Sequence, residues 1–167
     1  MAEIDILFKS RVKHTGVFDF RETYRILMEW LLDKGYDFNE KAYKEKVLPG
    51  GAREIEIEWE AVRKVSDYFR NILRVKWHLI GITKVEVEID GVKQSMDKGQ
   101  FEIEAQAILQ KDYEERWSNR PTLKFLRTFY DKYLIKERTT QFEEKLIIEL
   151  EEFLGQCKSF LALSGRR

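Results

Sequence analysis

The chain of 167 residues is 43% hydrophobic and 36% charged, and its 30 basic and 30 acidic side chains cancel. This composition indicates one folded domain, and it argues against a disordered chain and against a general attraction to nucleic acid. One cysteine, Cys157, leaves no intramolecular disulfide and no cysteine-cluster metal site. No apolar stretch approaches the roughly 18 residues that cross a bilayer, and residues 1–6 lack the pattern of a signal peptide, so we expect a cytoplasmic protein.

The N-terminal segment predicts a strand followed by a helix. Apolar and polar residues alternate from the start of the chain, which favours a strand over residues 3–13. Asp19 and Glu22 then have the spacing of a capping box, in which Asp19 is the N-cap and Glu22 reaches back to it. Apolar residues follow at helical spacing and Gly35 suits a left-handed C-cap, so a helix is expected over residues 20–34.

The next segment, residues 38–48, has an ambiguous pattern. Its propensity favours a helix, whereas the strands expected after it favour an edge strand whose lysines discourage unwanted pairing. We favour the strand, followed by a turn at residues 49–51.

The clearest alternation in the chain covers residues 53–63. Glutamates alternate there with a set of apolar residues, namely Ile55, Ile57, Trp59 and Ala61. A second strand is expected over 68–80, after a turn near Ser66. Residues 59–73 also approximate a helical stripe, but the two strands account for more of the residues.

Shorter strands are expected to complete the sheet. The pattern predicts a strand at 85–89, a tight turn at Asp90–Gly91, a return at 92–96, a turn at 97–99 and a last strand at 101–109. Side chains of opposite charge would then face each other outside the sheet. The predicted neighbours of Arg70, Arg74 and Lys76 are the strand with Glu54 to Glu60 and the strand with Glu86 and Glu88.

Two helices are predicted to end the chain. One begins near residues 118–121 with Pro121 in its first turn. The other begins at a capping box, Thr140 to Glu143, and runs to Leu161 with a continuous apolar stripe. We expect one domain over residues 1–163 and a disordered tail over 164–167.

This order predicts an α+β fold in which an antiparallel sheet of about five to seven strands wraps around a long C-terminal helix. The order resembles the helix-grip fold of START lipid-transfer domains, pollen-allergen-type proteins and polyketide-cyclase-like proteins. The resemblance covers nearly the whole chain as topology, and it implies an apolar ligand held between sheet and helix.

A second resemblance rests on short segments of sequence. They are similar to a group of small archaeal proteins without an assigned function, so they imply a source and no activity. The segments are Trp59–Ala61, Val65–Phe69, Asp112–Trp117, Lys124–Leu126 and Tyr130–Tyr133.

The candidate ligand site is the apolar interior between sheet and last helix. Two small residues on the concave face leave space that bulky neighbours either fill or leave open, so a packed core and a ligand cavity both remain possible. The candidate lining residues are Trp59, Phe69, Trp77, Ala105, Ala107, Leu150, Phe153 and Cys157. A non-enzymatic protein that encloses an apolar small molecule, lipid-like or otherwise, is the leading hypothesis.

The alternative hypothesis is an interaction module with a packed core that acts through its surface or at a membrane. Aromatic residues among lysines and arginines near Tyr130–Tyr133 could bind a membrane or single-stranded nucleic acid, although a solvated helix face explains them as well.

An enzyme is the third hypothesis, because the apolar strand faces supply no histidine or carboxylate to a cavity. His14, His78 and Cys157 form no metal site and no Cys–His pair. The Asp112–Trp117 cluster could offer a carboxylate at a cavity mouth, although a strand end in which Arg116 pairs with a nearby acid is the favoured interpretation. We therefore predict no cofactor, no metal ligand, no catalytic residue and no nucleic-acid partner.

Overall fold

The computed structural model describes residues 3–114, 121–134 and 136–165. Strands occupy most of the first part and helices the rest, so the predicted α+β class is confirmed. The elements are β1 (Glu3–Phe18), α1 (Phe20–Asp33), β2 (Asp37–Val47), β3 (Arg53–Lys64), β4 (Phe69–Ile89), β5 (Val92–Lys111), α2 (Pro121–Phe129), a π-helical turn (Tyr130–Leu134) and α3 (Lys136–Gly165).

The five strands form one antiparallel sheet in the order β1-β5-β4-β3-β2. β1 and β2 are consecutive in the chain but lie at opposite edges of the sheet, so α1 connects the two edges and the sheet stays open. The strand predicted over residues 38–48 is confirmed as β2, an exposed edge strand that pairs with β3. Its lysines lie along the edge, where charge opposes pairing with other chains.

Both long helices cover the same face of the sheet. α3 packs against β1 and β5, and α1 lies beside α3 and next to β2. The apolar side chains that alternate along β3, β4 and β5 point toward these helices and form one buried cluster with the stripe of α3. The predicted pairing of a sheet with a long C-terminal helix is therefore confirmed.

Local hydrogen bonds set the ends of α1. Asp19 Oδ1 accepts from the Glu22 backbone N–H at 3.0 Å, as the capping pattern predicted, while the Glu22 side chain pairs with Arg25 instead of reaching back. At the other end the Tyr36 N–H donates to the Leu31 carbonyl at 3.0 Å, across Gly35.

The structure corrects the prediction for β4 and β5. Residues 69–89 form one strand rather than two, because a register shift between Ile80 and Thr83 bends β4 without ending it. The turn predicted at 97–99 is also wrong, since β5 runs through it. A side chain at Gly99 would lie 2.9 Å from the carbonyl oxygens of Ile80 and Gly81, so this residue lets the two strands approach at the bend.

Three further boundaries differ from prediction. β1 continues to Phe18, and α3 begins at Lys136 instead of at the Thr140 capping box. The Thr140 hydroxyl instead donates to the Lys136 carbonyl at 3.0 Å within the helix. Ser164, expected in the disordered tail, is buried in the last turn of α3, and residues 166–167 lie outside the described residues.

Candidate functional site

The eight predicted ligand residues lie together in the buried core. Each is at most 4% exposed, and all belong to the same hydrophobic cluster between the sheet and α3. Their side chains contact one another and their neighbours closely, with ring centroids 4.7 Å apart for Trp59 and Trp77 and 5.2 Å apart for Phe69 and Phe142. The alternation along the strands and the helical spacing in α3 therefore identified residues that belong to one buried cluster.

The two buried tryptophans form the centre of an aromatic cluster. Tyr24 and Phe38 each place a ring edge-on to Trp59, with centroids 4.8 Å away. Among the described residues, Trp77 Nε1 has no hydrogen-bond partner. An unpaired buried donor costs roughly 1–3 kcal/mol, so this N–H group is a feature that packing alone does not explain.

Cys157 behaves as part of this core. Its side chain is fully buried, and burial raises the pKa of the thiol to about 12. A thiol that stays protonated at neutral pH is a poor nucleophile, so the position agrees with a small hydrophobic residue.

A crevice opens between the start of α1 and the sheet. Its volume is about 360 Å³, and it is lined by Phe20, Arg21, Tyr24, Arg53, Lys84 and Asp97. Asp97 is 3% exposed and accepts a hydrogen bond from the Phe20 N–H at 3.1 Å. The carboxylate also lies 2.8 Å from Lys84 Nζ and 3.5 Å from Arg53 Nη2.

Sequence reasoning missed this crevice. Asp97 precedes lysine and glycine, a composition typical of a turn, and nothing local indicates that β5 carries it into a buried position. The residues that surround it come from α1, β3, β4 and β5, so only the register of the sheet brings them together.

The outer face of the sheet carries columns of alternating charge. Lys76 and His78 of β4 lie between carboxylates of β3 and β5, whereas Arg74 lies between Glu60 and Gln106. The predicted charge pairing with β3 is present for Arg74 and Lys76, and it is wrong for Arg70, which pairs in register with Lys64. The predicted pairing with Glu86 and Glu88 is wrong, since both residues lie further along β4 itself. The carboxylates of β5 take their place.

One part of this face has a set of side chains that could hold a divalent ion. His78 Nε2 lies 2.9 Å from Glu54 Oε1 and 3.9 Å from Glu56 Oε1, and the three ligand atoms fall within 4.8 Å of one another. His78 also continues the column of Arg74 and Lys76, so hydrogen bonding across the strands accounts for the arrangement. His14 lies far along β1, where its ring Nε2 contacts the Val17 carbonyl oxygen at 3.3 Å.

The other unusual surface is α2 with the π-helical turn, residues 121–134, which we call the α2–π segment. α2 continues directly into the π-helical turn, and this turn contacts α3. Tyr130 faces inward, with its ring 6.2 Å from that of Tyr68. Four other large apolar side chains of the segment are 49–74% exposed: Phe125, Leu126, Phe129 and Tyr133.

The polar cluster predicted at Asp112–Trp117 is only partly described. Asp112 is buried and its N–H donates to the Tyr68 carbonyl at 2.8 Å, while the Tyr113 hydroxyl donates to the Ser66 carbonyl at 3.0 Å. These bonds fix the end of β5 to the turn before β4. Residues 115–117, and the predicted helix start at 118–120, lie outside the described residues.

Comparisons with protein families, curated proteins and solved structures find no match to this chain. Within the described parts of the chain, no helix combines the length and the apolar character that a bilayer-spanning helix needs.

Proposed function

We propose that this chain is a non-enzymatic binding protein that attaches to anionic membrane surfaces through the α2–π segment. The observation that carries the proposal is the exposure of Phe125, Leu126, Phe129 and Tyr133 on one side of this segment. Phe125, Phe129 and Tyr133 follow one another at intervals of four residues, so they form one continuous apolar stripe. Contiguous exposed apolar side chains of this size are typical of interaction surfaces.

The chemistry of the stripe suits the interface of a bilayer. Aromatic and leucine side chains enter the boundary between headgroups and acyl chains, and burying one such side chain contributes about 1.5–3 kcal/mol when burial is complete. The hydroxyl of Tyr133 can stay among the headgroups while its ring is buried. Four such side chains are enough for reversible attachment of a helix that lies in the plane of the membrane.

The charge of the region favours an anionic surface over a neutral one. The whole chain has no net charge, but residues 121–138 contain five basic and two acidic residues. The basic residues are Lys124, Arg127, Lys132, Lys136 and Arg138, and the acidic residues are Asp131 and Glu137. Lys132 Nζ lies 5.4 Å from the Tyr133 ring centroid, so a cation accompanies the apolar stripe. Each such cation near an anionic membrane adds about 1 kcal/mol.

Vesicle binding tests the proposal. We would measure partitioning of the chain into phosphatidylcholine vesicles with and without 30% phosphatidylglycerol, by sedimentation at low and at high salt. We expect binding to the anionic vesicles, reduced by salt, and a decrease of about tenfold or more for the double variant Phe125→Ser, Phe129→Ser. Binding to neutral vesicles should be weaker.

Leu32 supplies a control, because it is 50% exposed on α1, as Phe129 is on α2. Leu32→Ser should leave vesicle binding unchanged. Equal losses in the control and the double variant would contradict a specific role for the α2–π segment. Displacement of the chain from vesicles by a short single-stranded RNA would instead favour a nucleic-acid surface.

The second candidate function is the enclosed apolar ligand predicted from the sequence. The buried N–H group of Trp77 favours it, because a bound molecule could supply the acceptor it lacks. Native mass spectrometry of the gently purified chain, followed by organic extraction, is the test. An adduct that is lost in a folded Ala105→Trp variant supports this function, and an unmodified mass after incubation with lipid extract contradicts it.

A further inference from the structure

The crevice at the start of α1 gathers more positive than negative charge. Arg21, Arg53 and Lys84 line it together with a single carboxylate, that of Asp97. Asp97 holds Lys84 and Arg53 in place through contacts of 2.8 Å and 3.5 Å, and Arg53 also pairs with Glu45 at 3.0 Å. Within the described parts of the chain, Arg21 has no ion-pair partner, so one guanidinium at the mouth is available to an anion.

One wall of the crevice is aromatic. It is lined by the rings of Phe20 and Tyr24, which meet edge to face at 75° with their centroids 6.2 Å apart. Both rest on the buried tryptophans, with centroid distances of 6.1 Å between Phe20 and Trp77 and 4.8 Å between Tyr24 and Trp59. The Tyr24 hydroxyl is further fixed by a hydrogen bond to Glu40. The rings are therefore held in position before any ligand arrives, which reduces the entropy lost on binding.

We infer that this crevice binds a small organic anion. The apolar part of the ligand would contact Phe20 and Tyr24, stacking on one ring and meeting the edge of the other, and its sulfonate, carboxylate or phosphate would face Arg21, Lys84 and Arg53. A volume of about 360 Å³ admits a molecule of one or two rings. The site is formed by α1, β3, β4 and β5 and includes no residue of the α2–π segment, so it goes beyond the proposed membrane function and is independent of it.

Two matched probes separate the charge from the apolar surface. 8-Anilinonaphthalene-1-sulfonate and N-phenyl-1-naphthylamine share one ring system, and only the first carries an anionic group. We would titrate both by fluorescence into a chain that carries Phe125→Ser and Phe129→Ser, so that the exposed stripe of α2 does not contribute. The sulfonate should bind at least about fivefold more tightly than the neutral probe.

Arg21→Gln is the decisive variant, because its side chain is exposed and its loss should not affect folding. We expect the sulfonate to bind about fivefold to tenfold more weakly to this variant and the neutral probe to bind within twofold of the parent. Arg25→Gln on the same helix is the control, since Arg25 pairs with Glu22 and Glu29 away from the crevice.

Equal affinities for the two probes, or equal effects of Arg21→Gln and Arg25→Gln, would overturn the inference. A loss with Arg21→Gln that the further change Lys84→Gln deepens would support it. Circular dichroism of each variant verifies the fold. Because no vesicle is present, the outcome is separate from that of the membrane experiment.

Discussion

Two aromatic residues of this chain, Trp77 and Phe125, lie in regions that differ strongly in how far apolar side chains are buried. Trp77 is 1% exposed in the centre of the sheet, and Phe125 is 74% exposed on α2. Both belong to regular apolar patterns. Trp77 has α1 and the neighbouring strands to pack against, whereas the described residues place no such surface over Phe125. An apolar stripe in the sequence therefore predicts a surface that is buried in a contact. The tertiary structure determines whether that contact lies within the chain or with another molecule.

Substitution of these two residues by alanine should give the largest contrast. Trp77→Ala leaves a cavity in a packed core and should lower the free energy of unfolding by about 3–5 kcal/mol. Phe125→Ala removes few internal contacts and should change it by less than about 0.5 kcal/mol. Urea unfolding measures both. Similar losses in the two variants would mean that the α2–π segment is covered by its own chain.

The approach of β5 to the bend of β4 gives the second largest effect. A Cβ at residue 99 would lie 2.6 Å from Ile82 Cδ1 and 2.9 Å from two carbonyl oxygens, so Gly99→Ala should destabilise the chain by about 2–3 kcal/mol. Gly155 lies inside α3 with nothing within 4 Å of a Cβ. Gly155→Ala should stabilise by about 0.5–1 kcal/mol. If Gly99→Ala melts at the parent temperature, the tight strand contact is absent.

A half-buried polar network links α3 to α1 and β3. Arg63 Nη2 donates to Glu149 Oε1 at 2.7 Å, and the Tyr36 hydroxyl donates to the same carboxylate at 2.6 Å. Glu149→Gln should therefore cost about 1–2 kcal/mol in thermal or urea unfolding. The exposed pair of Lys34 and Glu152 is the comparison, and Glu152→Gln should cost less than about 0.5 kcal/mol. A larger cost at Glu152 would contradict this ranking.

Alkaline pH should weaken the core through Cys157. Burial raises the pKa of its thiol from about 9 to about 12, so the unfolded chain loses this proton first as pH rises. Stability from this group is complete below pH 9 and is lost between pH 9 and 12, by about 1 kcal/mol at pH 10. Burial likewise raises the pKa of Tyr36, which adds to the loss above pH 10.

Unfolding measured from pH 7 to 10.5 checks this, with Cys157→Ala as the control whose decline should be shallower. An identical decline in both would place Cys157 in contact with water and indicate a hydrated cavity in the core.

Local patterns predicted much of this fold. The alternation in β3 and the capping residue of α1 depend only on residues close in sequence, so the predicted strand and the predicted helix start are both present in the structure. The bend at Gly81 and Gly99 depends on the register between β4 and β5. The local sequence there is typical of a turn, so it predicted a turn instead. The early start of α3 escaped prediction because Thr140, a good capping residue, bonds within the helix instead.

The candidate sites also differ in how much of each could be predicted from local sequence. The eight candidate ligand residues lie in one buried cluster, because alternation in the strands and helical spacing in α3 fix which side chains share a face. Their role in binding a ligand stays a prediction. The crevice at Asp97 needed the positions of four elements, which no local pattern provides. The exposure of Phe125 and Phe129 also depends on tertiary structure, since their spacing is that of any amphipathic helix.

Hydrogen exchange followed by mass spectrometry, with and without phosphatidylglycerol vesicles, tests the central claim most directly. A nine-residue helix such as α2 is marginal without a surface to pack on, so its amides should exchange quickly in the free chain. The proposal predicts that vesicles slow exchange across residues 121–134 and leave β3, β4 and β5 unchanged. Slower exchange confined to another surface, or no change in a chain that sediments with the vesicles, would contradict it.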